Sequence, residues 1–359
     1  MLEFIMDRLH DFDVSSFVNE LATASKNLGI LEAKIDSYQF NRILIPMLQK
    51  KEALSSMYIE GTQTTTTLTD VLKSEINPKP DQEKLQIEIR NHVRTLAFGA
   101  DYLRTGKFTH SFMKQLHEYL MVGIIAPGLE KTLGKYKLKD NQIKSSTGMV
   151  VYNPPTAAET KKYMDELLSF MNNTDDNINP LIKAAMMHSQ FESIHPFSDG
   201  NGRIGRVLVS LYLYKAGVIN FPFFYISEAI NMDKSVYYRM LTDSRTNSLD
   251  EWIKYFLQKV SVQTTKHIGY IDALNELYIK TKNTVKKCIN SPKFDEIIEC
   301  LFTHPLLNAN TLEDQISVSH GQAVRYLNTL EAKRVLLADD RKRGKTFLFP
   351  ELIDLARGN

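Results

Sequence analysis

The sequence is poor in cysteine, nearly balanced in charge and free of long apolar runs, and each of these shortages excludes a class of protein. Two cysteines, Cys288 and Cys300, are too few for a disulfide framework and lack the C-x-x-C spacing of a zinc or redox site. The 44 Lys and Arg against 42 Asp and Glu leave a formal net charge of +2, so overall charge points to no polyanionic partner. No run approaches the roughly 18 apolar residues of a membrane span. Met1 to Val14 carries Glu3, Asp7, Arg8, Asp11 and Asp13, which interrupt the apolar stretch that a signal peptide needs. The expectation is a soluble chain in the reducing cytoplasm, with no membrane partner.

What is present is enough for a sizeable core: 359 residues, 43% of them hydrophobic, predict two or three folding units. Apolar residues recur at helical spacing and alternate only in short patches, so the fold is expected to be mainly α, without internal repeats. Residues 1–80 read as an N-terminal helical segment that breaks at Asn77-Pro78-Lys79-Pro80. A helical core follows over 81–260. It is interrupted at 134–155, where Lys, Gly and Ser surround Met149-Val150-Val151-Tyr152 in the manner of a hairpin flap. Residues 261–290 read as a connecting helix.

The tail, 291–359, has helix-turn-helix punctuation. Thr311-x-x-Asp314 and Ser319-x-x-Gln322 resemble two capped helix starts around Ile316-Ser317-Val318. Val324, Leu327 and Leu330 are expected on the buried face of the second helix. Two apolar patches flank the basic turn Arg341 to Lys345, and the whole predicts a winged helix-turn-helix. In a DNA-binding role His320, Arg325, Asn328 and Thr329 are the groove-facing candidates. The segment from Lys293 onward holds nine Lys and Arg against ten Asp and Glu, a poor footprint for nucleic acid. DNA is therefore not favoured over protein docking or a homodimer.

The chemistry concentrates between His195 and Arg206, in the run His195-Pro196-Phe197-Ser198-Asp199-Gly200-Asn201-Gly202-Arg203-Ile204-Gly205-Arg206. Helical patterns precede and follow it, so it is expected on an interhelical loop. Pro196 stops the first helix. Gly200 and Gly202 allow backbone conformations and close approach that side chains would obstruct. Amides at the start of the next helix can then converge on an anion, with phosphate the natural guest. Arg203 and Arg206 share a helix face and can both reach it, and Asn201 adds a neutral donor. Asp199 makes sense beside phosphates only as a ligand for Mg²⁺. His195 suits a general base for an attacking hydroxyl near neutral pH, and Phe197 an anchor under the loop. Base, metal ligand and anion nest together describe phosphoryl or nucleotidyl transfer to a hydroxyl.

This run resembles the Fic family pattern His-x-Phe-x-(Asp/Glu)-Gly-Asn-Gly-Arg-x-x-Arg without a departure, and the resemblance covers roughly Gln86 to Phe256. The resemblance implies a Fic-type helical core with a β-hairpin flap. It further implies transfer of AMP from Mg-ATP to Ser, Thr or Tyr hydroxyls of proteins, itself included. His195 would be the base, Asp199 the metal ligand, and Gly200, Asn201, Gly202 and Gly205 part of the ATP site, with Arg203 and Arg206 on the β- and γ-phosphates. Phosphate-transferring relatives replace the second glycine with lysine, whereas Gly202 is kept here. Tyr237 and Tyr238 resemble the adenine-pocket helix. The flap would dock an extended target segment, although Gly134-Lys135-Tyr136-Lys137 stands where many relatives carry Gly-x-x-Arg.

One further stretch stands out. Residues 46–60 read as a helix stopped by Gly61, with Ser56 and Glu60 on one face. Glu60 meets the negative end of the helix dipole, at a cost of ~0.3–1 kcal/mol, so something should compensate it. Ser56-x-x-x-Glu60-Gly61 resembles the inhibitory motif of some Fic proteins, which implies that Glu60 pairs with Arg206 and removes a phosphate clamp. Two alternatives remain: a DNA-binding regulator with an ATP-sensing core, or an enzyme that removes AMP or uses another nucleotide.

Overall fold

The fold comes from a computed structural model that describes residues 2–9, 11–36, 41–61, 70–71, 83–145, 147–222, 224–246, 249–341 and 344–357, without side chains for 41–46. The chain divides into two compact units. The first holds Met1–Ala33, Leu48–Thr64 and Ile87–Thr265, and the second Lys34–Met47, Thr65–Gln86 and Lys266–Asn359.

The helices run α1 (Val18–Asp36), α2 (Asn41–Ile59), α3 (Glu83–Leu103), α4 (His110–Met121), α5 (Ala157–Asn172), α6 (Pro180–Ile194), α7 (Asn201–Lys215), α8 (Ser227–Asn231), α9 (Lys234–Asp243) and α10 (Asp250–Cys288). Strands β1 (Ile143–Lys144) and β2 (Val150–Tyr152) lie between α4 and α5 and pair antiparallel, Ile143 opposite Tyr152. They form the expected hairpin, turned at Gly148, with Met149, Val150 and Val151 exposed. Among the described residues no helix is long and apolar enough to cross a membrane.

At the centre of the first unit is α6, which buries every residue from Leu181 to Ile194. Its start is set locally: Pro180 occupies the first turn, where no amide is needed, and Asn179 Oδ1 accepts from Leu181 N at 2.9 Å. Two of its buried polar side chains are matched from outside. Lys183 donates to Asp176 Oδ2 and Asn173 O, and Gln190 to Glu3 O. Beside it α7 packs closely, because a Cβ at Gly205 would collide with Glu192 Oε1 at 2.2 Å.

The N-terminal segment expected over 1–80 is not a unit of its own. Leu2 to Met6 is stitched to the core: Tyr163 Oη donates to Leu2 O, and the Ile5 and Met6 amides donate to Glu166 at 3.0 and 2.6 Å. The boundaries expected near 80 and 260 give way to passages inside α3 and α10, since helix period continues through both. The expected 261–290 connector is the latter part of the 39-residue α10. The break at 77–80 lies outside the described residues. Helix α2 begins at Asn41 rather than Pro46 and closes at Gly61, whose φ of +83° and amide bond to Tyr58 O end the helix as expected.

In the second unit follow α11 (Phe294–Thr303), β3 (Leu306–Asn308), α12 (Ala309–Ile316), α13 (His320–Ala332), β4 (Leu337–Ala338), β5 (Thr346–Leu348) and α14 (Pro350–Arg357). The strands form an antiparallel sheet in the order β3-β5-β4. Ser319 and Gln322 form the expected capping box of α13. Asn308, not Thr311, caps α12, because its carboxamide accepts from Thr311 N at 3.0 Å. Leu327 and Leu330 are buried with Ala323 and Tyr326, whereas Val324 is exposed; it lies one position off that inward stripe.

Candidate active site

The loop from His195 to Gly200 joins α6 to α7, so the two most intimately packed helices of the first unit carry its ends. His195 leaves α6 in the left-handed conformation, φ 49° and ψ 59°, and Gly200 enters α7 at φ 79°. Gly200 also needs its missing side chain, since a Cβ would sit 2.5 Å from Met121 Sδ. The first bond of the α7 ladder runs from Ile204 N to Gly200 O, so the amides of Asn201, Gly202 and Arg203 precede the ladder. They form the start of a 15-residue helix, with its positive dipole end.

The loop is braced by residues from elsewhere. Asn201 is buried, and its side chain accepts from Phe197 N and donates to Phe197 O, both at 2.8 Å. Phe197 stacks on His117 from α4, centroids 4.1 Å apart and 9° from parallel. His117 Nδ1 accepts from Gly134 N at 3.0 Å, which fixes the tautomer, so Nε2 donates to Asp199 O at 3.1 Å. Burial lowers its pKa to about 4, keeping the ring neutral. Asn141 donates to the carbonyls of His195 and Phe197, both at 3.1 Å. Buried Lys137 donates to Ile194 O at 3.1 Å and to Asn141 Oδ1 at 2.8 Å, and its amide to Pro196 O.

The charged groups face one another across α7. Asp199 Oδ1 accepts from Gly200 N and Oδ2 from Ala126 N, at 2.7 and 3.0 Å, with Arg203 Nη2 3.4 Å away. Arg203 Nη1 lies 4.0 Å from Glu88 Oε1 on α3. Arg206 is buried and held by the end of α2. Its Nε and Nη2 donate to Ser56 Oγ at 3.0 and 2.9 Å, and Nη2 also to Ser56 O at 3.0 Å and to Glu60 Oε1 at 2.8 Å. The Glu60 carboxylate rests over Gly202, where a Cβ would meet Oε1 at 2.3 Å.

Burial, then the Lys137 charge, depresses the His195 pKa to about 4, against the opposing Glu192 carbonyl and Glu60 charge. The imidazole is therefore neutral at pH 7, the state a base requires. Three residues before it, buried Glu192 is pushed up to about 7 by desolvation.

Two family models match the chain, one described as Fic/DOC family over residues 107–213 and one as Fic/DOC family N-terminal over 18–101; together they cover more than half of it. The chain belongs to the Fic/DOC family. A Fic family protein from Desulfovibrio desulfuricans G20 shares its fold, with a TM-score of 0.59 over 94% of this chain and 97% of that one, at 21% identity. In sequence the chain is 27% identical over 133 residues to the "Probable protein adenylyltransferase" of Aquifex aeolicus (strain VF5), 35% of this chain and 41% of that protein. It is 26% identical over 156 residues to the protein adenylyltransferase Fic of Nematostella vectensis, covering 42% of this chain and 34% of that one. The chain thus spans less than half the length of these relatives.

Set against expectation, the Fic loop brings His195, Asp199, Gly200, Gly202, Arg203 and Arg206 together, with Ser56 and Glu60 beside them. Three expectations need correction. The Asn201 side chain is consumed by Phe197, so only its backbone amide is left for an anion. Gly205 faces Glu192 and His188 on α6 rather than the loop, and serves helix packing. Tyr237 is 1% exposed and hydrogen-bonds His188 Nε2 at 2.8 Å, so it belongs to the core and cannot stack on a base. Tyr238 stays half-exposed, and its hydroxyl donates to Ile59 O at 2.9 Å. His117, Asn141 and Lys137 went unrecognised as braces; only the Gly134-Lys135-Tyr136-Lys137 signature pointed near them.

Proposed function

We propose that this Fic protein is a protein adenylyltransferase that moves AMP from ATP to a protein hydroxyl, and that Glu60 holds it in check. The observation that carries the reading is the seat of Glu60, whose carboxylate occupies the anion position over Gly202 while tying up buried Arg206. A group with the charge of a phosphate already fits there. In the active form His195 takes the proton of the target hydroxyl as its oxygen attacks the α-phosphorus. The bond to the β-phosphate oxygen breaks, and pyrophosphate leaves. Arg203 and Arg206 hold the phosphates, with the amides of Asn201, Gly202 and Arg203 that precede the α7 ladder. The names of the curated relatives support this chemistry.

Asp199 is the residue that would hold Mg²⁺. Its carboxylate is partly exposed, and among the described residues no cluster of three acidic, His or Cys side chains gathers around it. That donor set fits an ion that takes its other ligands from phosphate and water. Bound there, Mg²⁺ would supply charge neutralisation for the departing pyrophosphate.

In the second unit we infer a winged helix-turn-helix that docks protein, a second copy of the chain included. Three of its basic groups are already matched: Lys345 with Glu331, Arg341 with Asp339, His320 with Glu313. Lys342 and Arg343 lie outside the described residues. Incubating wild type, His195→Ala and Glu60→Gly with α-labelled ATP and Mg²⁺, followed by mass spectrometry, tests the reading. Label should be weak in wild type, strong in Glu60→Gly and absent in His195→Ala. A Glu60→Gly protein that neither binds ATP nor labels itself or a lysate protein overturns it.

A further inference from the structure

We propose that Lys234 and Tyr238 on α9 form a clasp that holds the last turn of α2, and thereby sets how firmly Glu60 restrains Arg206. Resting on the reading of Glu60 as a brake, it identifies what keeps the brake engaged.

The last carbonyls of a helix have no partner within it and carry the negative end of its dipole. In α2 these carbonyls are met from α9: Lys234 Nζ donates to Tyr58 O at 3.2 Å and Tyr238 Oη to Ile59 O at 2.9 Å. Lys234 and Tyr238 are four residues apart, hence on one face of α9. Helix α9 is itself fixed. Asp233, at its start, accepts from Tyr255 Oη at 3.0 Å and from Lys259 Nζ at 2.5 Å, while Tyr237 bonds His188 on α6.

Glu60 follows Ile59 directly, so its position is only as definite as the carbonyls before it. Its own charge adds to the negative helix end and favours fraying. Arg206 compensates the carboxylate, and the Lys234 ammonium the carbonyls. Ser56 secures the near side of the same turn through Arg206, and Lys234 with Tyr238 secure the far side. Loss of the clasp frees the segment that carries Glu60 without removing any group that faces the Fic loop.

The test uses the full chain. Hydrogen exchange of the amides from Met57 to Gly61 should quicken by about tenfold in Lys234→Met and in Tyr238→Phe, and unchanged protection in both overturns the clasp. Self-labelling with α-labelled ATP should rise by about fivefold in Lys234→Met when Glu60 is present, and change by less than about twofold in a Glu60→Gly background. An equal rise in both backgrounds, or none with Glu60 present, also overturns it. Should Glu60→Gly itself carry no label, the adenylyltransferase reading fails, while exchange still decides the clasp.

Discussion

The carboxylate of Glu60 lies over the Cα of Gly202, so close that a methyl group there would meet Oε1 at 2.3 Å. Glycine at this position thus makes room for the contact with α2. Gly202→Ala is expected to lower stability by ~1–3 kcal/mol, because the new methyl pushes the carboxylate off Arg206. In a Glu60→Gly background the obstacle is absent and the same substitution should cost clearly less. Thermal or urea unfolding of the four proteins measures the coupling, and additive losses would rule out the crowding account.

His117 ties three parts of the active site together: the Phe197 ring, Asp199 O and Gly134 N. Replacing it with Phe keeps an aromatic stack but leaves the carbonyl and amide without their partner. In the Glu60→Gly background, His117→Phe should raise the Mg²⁺ concentration needed for half-maximal labelling several-fold, because Asp199 loses its anchor. A normal Mg²⁺ profile with merely reduced stability would reduce His117 to a packing residue.

How far the sequence exposes this arrangement depends on where each function is encoded. The groups proposed to react fall within twelve consecutive residues, and Pro196, Gly200 and Gly202 announce the loop, so local pattern suffices there. The braces are single residues from distant segments. A lone His117 or Asn141 has no periodicity or spacing to separate it from any other polar residue. Neighbours on a helix point about 100° apart, so Tyr237 turns into the core while Tyr238 stays half-exposed. The mainly helical class was readable from apolar spacing, but the passage between units inside α3 and α10 was not, since no proline or capping residue marks it.

The buried histidines give the fold a pH signature. Desolvation depresses His92 and His188 to about 3 and His117 and His195 to about 4, all below the ordinary 6.5. The unfolded chain then binds more protons, so this stability is complete above pH 6.5 and is lost as pH falls toward 4. Glu52 and Glu192, raised to about 7 by burial, act in the opposite sense, and their stability is lost as pH rises from 4.5 to 7. Four histidines oppose two glutamates, and each is moved at least as far. The melting temperature should therefore fall steadily between pH 6.5 and 4; a flat or rising profile would contradict neutral, buried imidazoles.

Tyr237 offers a clean separation of core from nucleotide site. Its ring packs against both His188 and Trp252, and its hydroxyl satisfies His188 Nε2. Tyr237→Phe retains the packing but leaves the buried imidazole nitrogen unpaired, which should cost ~1–3 kcal/mol. Because the hydroxyl faces α6, the affinity of the Glu60→Gly protein for ATP should stay within about twofold, a change worth less than ~0.5 kcal/mol. Calorimetric titration with ATP beside a melting curve distinguishes the two. If affinity fell while stability held, Tyr237 would be reassigned from the packing of α9 on α6 to the recognition of the base.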